Sequence, residues 1–154
     1  MNGNMAIFRA TPDDLPRMFG LMRQFSLECG RDPDLDGWHE GMLRTFEMGA
    51  AIVIYTTATE KRNGAMTGML VALDFPCMLT GKRQLVEQMW FVTQEYRSRG
   101  DGFDLLKYLD SIAAERKATQ ILMTHLANET GERLRKVLPR YGYKPLEINY
   151  IKQL

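Results

Sequence analysis

An apolar, β-favouring run ends at Val92, a short polar elbow follows, and Arg97-x-x-Gly100-x-Gly102 then opens directly onto a helical pattern of Leu105, Leu106, Leu109, Ile112 and Ala113. This constrains the chain more than any other feature. A strand that feeds a glycine-bearing loop and then a helix is an anion-binding device. The first N–H groups of the helix have no internal partner and point at the loop. The helix dipole favours negative charge there, and glycines let a ligand approach the backbone. The third glycine of the dinucleotide-binding fingerprint is missing, as is any Gly-x-x-x-x-Gly-Lys-Ser/Thr phosphate loop.

The remaining chain predicts the elements around this unit. Residues 6–10 read as a short strand. Thr11-Pro12-Asp13-Asp14 starts a helix, with Thr11 as cap, Pro12 at the first helical position and Asp14 where a capping box wants an acid. Leu15, Met18, Phe19, Met22 and Phe25 continue it at helical spacing. After a break at 30–33, Asp34 or Asp36 starts a second helix carrying Trp38, Met42 and Phe46, which Gly49 ends. Runs at 50–56, 65–75 and 84–93, separated by Asn63-Gly64 and Thr80-Gly81, predict an antiparallel meander. Beyond the loop come a long helix to about Lys117, a strand at 119–126 and a helix at about 130–138. Pro139 and Gly142 terminate that helix, and a last strand at 148–154 closes the sheet. The order is β-α-α-β-β-β-α-β-α-β.

Arg-x-x-Gly-x-Gly between a strand and a helix resembles the acetyl-CoA pyrophosphate loop of the GNAT superfamily of N-acetyltransferases. The tail from Tyr141 to Lys152 (Tyr-Gly-Tyr-Lys-Pro-Leu-Glu-Ile-Asn-Tyr-Ile-Lys) is similar to the C-terminal strand region of small members, phage-encoded ones foremost. The likeness runs from Ile7 onward and is strongest from Glu87 to Lys152. With the element order it implies an α/β (α+β) fold, a mixed, mostly antiparallel central sheet of about six to seven strands flanked by four helices. It further implies a single GNAT-like acyltransferase domain over residues 1–154. That domain would move an acetyl group from acetyl-CoA to a primary amine by direct attack, with no metal and no covalent enzyme intermediate.

The resemblance assigns roles residue by residue. The pyrophosphate falls to Arg97, Ser98, Arg99, Gly100, Asp101, Gly102 and Phe103. Asp101 departs from the pattern, which has an apolar residue there; its carboxylate repels a diphosphate unless it points outward and serves only the helix start. Backbone groups of the strand at Phe91, Val92 and Thr93, beside Trp90, would pair with the pantetheine arm as an added strand would. Asn128 would contact the same arm, and can equally cap the next helix. Glu87, within the apolar strand, would take the amine proton directly or through water; alternation places it on the face of Met89 and Phe91. The expected general-acid tyrosine is replaced by Leu138; Tyr141, beyond Pro139, substitutes if the chain bends it inward, and otherwise water or another group protonates the leaving thiolate. His39, His125 and Cys77 have no catalytic context in the sequence.

Composition limits partners. A net charge of +1 offers no basic surface for nucleic acid and no polybasic arm for anionic lipid, and no apolar run is long enough to span a membrane. The start Met-Asn-Gly-Asn-Met lacks a signal-peptide pattern, and Cys29 and Cys77 read as free thiols, so a cytoplasmic protein of a bacterial or phage-infected cell is expected. The partner is then a small-molecule or protein amine, with homodimerisation common among relatives. Leu138 and Asp101 favour an alternative: a GNAT-shaped binding or structural module without catalysis, such as a virion component or an inhibitor of a host protein.

Overall fold

β-rich runs joined by tight turns pair with their sequence neighbours when each buries both faces. A computed structural model describes residues 6–147 and 150–154. The chain divides into two compact units, Met1–Met123 and Thr124–Leu154. The first unit holds β1 (Ala6–Arg9), β2 (Ala51–Thr57), β3 (Met66–Pro76), β4 (Arg83–Val92) and β5 (Gln120–Leu122), in that spatial order. β1 to β4 pair antiparallel and β4 with β5 parallel.

Two-residue alternation sorts the sheet's side chains into two cores. Val53, Tyr55, Met69, Val71, Met89 and Phe91 pack with Leu15, Met18, Leu21 and Met42, from the segment that leads into α1 (Phe19–Glu28), α1 itself and α2 (Leu35–Glu47). Ile52, Ile54, Leu70, Ala72, Leu85 and Val92 pack with Leu105, Leu109 and Ile112 of α3 (Asp101–Glu115). Helices on both faces of a mostly antiparallel mixed sheet match the expected GNAT-like architecture.

The first helix begins as a 3-10 turn over Pro12–Met18 and becomes α-helical only at Phe19. Pro16 lies inside that turn and has no N–H for an α-type ladder. The Thr11 N–H donates to Asp14 Oδ2 at 2.9 Å, the acidic half of the anticipated capping box. Asp14 is buried and also receives Arg17 (3.1 Å), Arg62 and the Tyr55 hydroxyl (3.4 Å), tying the β2–β3 turn to the start of the chain.

The sheet is smaller than the six to seven strands expected, with five among the described residues. β5 ends at Leu122 rather than continuing to residue 126. Its ladder with β4 has three rungs, the last joining Val86 to Leu122, and stops where β4 bulges. The closing strand predicted at 148–154 is also missing where it can be seen. Residues 143–147 and 150–154 carry no strand, and 148 and 149 lie outside the described residues. Pro145 has no N–H for a ladder, and Tyr150, Ile151 and Leu154 are exposed. In the second unit α4 (Glu129–Val137) is followed by a 3-10 turn, Leu138–Tyr141, that ends at Gly142 in the left-handed region.

Candidate functional site

The site begins at a fork in the sheet. β5 accompanies β4 only from Gln84 to Val86, so from Glu87 to Val92 the outer edge of β4 has no strand beside it among the described residues. An unpaired edge carries backbone donors and acceptors that need partners. The Thr93 N–H points the other way, to Thr67 O at 2.8 Å. Alternation along an antiparallel ladder then turns the backbone groups of Phe91 towards β3 and those of Trp90 and Val92 outward. Of the backbone expected to hold a ligand, Phe91 and Thr93 therefore serve the sheet, and the open edge belongs to Trp90 and Val92. The outward carbonyl of Val92 is already taken, by Arg97 Nε at 2.7 Å.

At the mouth of the fork the β3–β4 register slips. Val71 faces Met89 while Ala72 faces Glu87, so Gln88 is an extra residue in β4. This bulge resets the alternation. Glu87, opposite Ala72 and two residues from Leu85, lies on the α3 side, whereas Met89 and Phe91 lie on the α1–α2 side. The expectation that all three share one face is corrected: unbroken period-two counting fails across an inserted residue. Glu87 is 4% exposed, the first β4 residue beyond the last parallel rung. Gln88, exposed, had no visible signal of its role, because a bulge of this kind has no residue signature.

The loop after β4 is a 3-10 turn, Gln94–Arg99, and Gly100 in the left-handed region at φ 92° hands the chain to α3. Glycine takes that conformation without strain, and the space where its Cβ would stand is open. Gly102 differs. A Cβ there would lie 3.4–3.5 Å from Trp90 and Val92, and the Gly102 carbonyl accepts from Trp90 Nε1 at 3.0 Å. Gly102 therefore packs the helix start onto β4. Phe103 meets Trp90 edge-on, with ring centres 5.9 Å apart.

Of the two loop arginines, one is committed away from the helix start. Arg97 folds back: its Nε holds Val92 O, a second nitrogen meets both Glu28 carboxylate oxygens at 2.7 Å, and its guanidinium lies 5.3 Å from the Phe91 ring centre. It is a brace from β4 to the end of α1. Arg99 stacks on Tyr96 at 4.5 Å and is exposed, as is Ser98. Asp101 does not point outward. It is 3% exposed, and its Oδ2 has no hydrogen-bond partner among the described residues. Burial pushes the Asp101 carboxyl up, against the pull of its own N–H and Arg99, while Asp104 pushes the same way as burial.

Asn128 is the N-cap of α4, its Oδ1 accepting from Gly131 N at 2.9 Å. Tyr141 closes the following 3-10 turn, 38% exposed, while Leu138 is buried. His39 packs edge-on against Phe19, and His125 Nδ1 is 3.1 Å from Leu126 O. Burial pushes the Cys29 thiol up, and the Thr80 hydroxyl draws the Cys77 thiol down. Among the described residues no group of three or more His, Cys, Asp or Glu is placed to hold a metal ion.

No protein-family model matches the sequence, and no curated protein is similar to it. Solved structures are similar along nearly the whole chain. A GNAT family acetyltransferase of Staphylococcus aureus matches with a TM-score of 0.71 at 11% identity, over 97% of this chain and 98% of that one. The ribosomal-protein-alanine N-acetyltransferase of Brucella melitensis biovar Abortus 2308 matches with 0.73 at 18%, over 98% and 99%. An aminoglycoside acetyltransferase from an uncultured soil metagenomic sample matches with 0.75 at 16%, over 98% and 99%. The fold is that of the GNAT acetyltransferases.

Proposed function

We propose that this protein is an acyl-CoA-dependent N-acyltransferase, moving an acetyl group from acetyl-CoA to a primary amine. The observation that carries the proposal is the continuity of the open β4 edge with the left-handed Gly100 turn at the start of α3. A β-edge suits the amide-bearing pantetheine arm, and a helix N-terminus suits a diphosphate. The backbone suits the co-substrate: Trp90 and the Val92 N–H face the open edge, and a Cβ on Gly100 would meet no atom beyond its chain neighbours within 4 Å. Arg99, Ser98 and the backbone of Gly100, Asp101 and Gly102 would hold the diphosphate, with Arg97 fixing the end of β4 and Phe103 holding the helix against Trp90.

Acetyl-CoA would supply the reactive thioester. Outward β4 amides would stabilise negative charge developing on its carbonyl oxygen. Glu87 at the fork would accept the amine proton, directly or through water. The leaving thiolate would take its proton from water. The acceptor is a small-molecule or protein amine. The protein-directed and aminoglycoside-directed enzymes that share the fold bracket that range without selecting within it.

A second reading is a GNAT-shaped module that no longer transfers acyl groups. The buried, unpartnered carboxyl oxygen of Asp101 at the helix start favours it. Melting with and without acetyl-CoA separates the two. Donor at about a hundred times its dissociation constant adds about 2.7 kcal/mol. No shift at millimolar donor ends the enzymatic reading; a shift with no labelled product across a broad amine screen leaves the binding module.

A further inference from the structure

We propose that Asp101 meets the acyl donor's diphosphate as a neutral carboxylic acid, so that donor binding draws a proton from solution into the loop. The inference rests on the acyl-CoA reading of the site. Asp101 is the first residue of a 15-residue helix, directly after Gly100, and 3% exposed. A buried carboxylate normally collects donors or a cation. Here Oδ2 has none among the described residues. Arg97, four residues before it, is held by Glu28 and Val92 O, and Arg99, two residues before it, is stacked on Tyr96.

The charges that act on Asp101 are Arg99, which favours its ionised form, and Asp104 on its own helix, which opposes it. β4, packed beneath, presents Trp90 and Val92 there, with Glu87 further along the same face. Over residues 94–107 the acids Glu95, Asp101 and Asp104 balance Arg97, Arg99 and Lys107. A diphosphate entering this segment adds negative charge with no surplus cation to meet it. Protonation resolves both difficulties. A neutral acid ends both the cost of the buried charge and its repulsion of the diphosphate. The balance is one proton from solvent to the Asp101 carboxylate for each donor bound.

The test is calorimetry of acetyl-CoA binding at about pH 8, in two buffers of different ionisation heat, on the wild-type protein and Asp101→Asn. The wild type should take up between about a half and one proton, and Asp101→Asn correspondingly less. At full uptake, wild-type affinity falls about tenfold per pH unit. The difference between the proteins cancels the donor's own titration. Binding with equal proton uptake in both proteins overturns the inference and leaves the acyl-CoA reading standing. Binding by Asp101→Asn alone, at every pH from about 5.5 to 8.5, also overturns it, because the carboxyl would then exclude the donor in either state. Binding by neither protein removes the reading and the inference together. The wild-type measurement in two buffers decides the sign even if the variant folds poorly.

Discussion

Two buried aspartates carry opposite pH signatures. Asp14 is also pushed up by burial, but the Thr11 N–H and Arg62 outweigh this and hold its carboxyl below the usual range. Its stabilisation is present above the unfolded-chain value and is lost as pH falls through the folded one. Asp101 is raised, so its contribution is full in acid and is lost as pH rises through its folded value. Asp14→Asn should therefore lower stability by about 2 kcal/mol at neutral pH, the difference shrinking in acid. Asp101→Asn should raise it by about 1 kcal/mol at neutral pH and converge with the wild type in acid. Melting temperature against pH for the three proteins checks both, and a neutral-pH loss in Asp101→Asn would mean that its carboxylate is well served. The sequence located Asp101 in the loop and Asp14 in its capping box, because both are local patterns. Burial of Asp101 and the partner of Arg97 were illegible, since Glu28 lies far away in sequence and docking of α3 on β4 hides the carboxyl.

At the scale of elements, glycine spacing announced the strand–loop–helix unit but not which glycine does what. Gly100 needs the left-handed region, and Gly102 needs only room beside Trp90. Gly100→Ala should cost about 1–2 kcal/mol. Gly102→Ala should be neutral or stabilising by up to about 1 kcal/mol, because its methyl meets ordinary van der Waals contacts and alanine favours the helix. Chemical denaturation of the two variants reads the contrast, and equal losses would contradict the assignment. β4 shows the same limit. Its continuous β-favouring run gave its ends to within a residue, yet the extra residue at Gln88 was invisible because bulges are set by pairing with β3. Gln88→Ala removes an exposed side chain and should leave stability within about 0.5 kcal/mol. Deleting Gln88 would make Glu87 and Met89 successive rungs opposite Ala72 and Val71, each on its present face, so only the bulge is lost; stability should fall by more than in Gln88→Ala because the bend of β4 goes with it. A deletion protein that melts like the wild type would show that the register slip is not required.

For the whole chain, apolar periodicity was enough to read the elements and an antiparallel meander, because each element buries a face of its own, while helices on both faces of the sheet followed from the GNAT resemblance. The fork was not readable: both β4 and the run expected at 119–126 look like uninterrupted strands, and only their mutual divergence at Val86 and Leu122 opens the sheet. That divergence separates two jobs. Donor binding, on this reading, uses backbone of β4 and the α3 turn, whereas proton acceptance uses one side chain, Glu87, at the point where the strands part. Glu87→Gln keeps the size and most hydrogen-bonding capacity of the side chain but cannot accept the amine proton. It should keep the thermal shift produced by acetyl-CoA and lose about 10²- to 10⁴-fold in kcat, with the pH dependence assigned to the base abolished. Loss of donor binding together with turnover would instead make Glu87 a structural support of the fork. Unchanged turnover would move the base to a water held by the backbone, leaving the open edge of β4 as the only chemistry this part of the sheet provides.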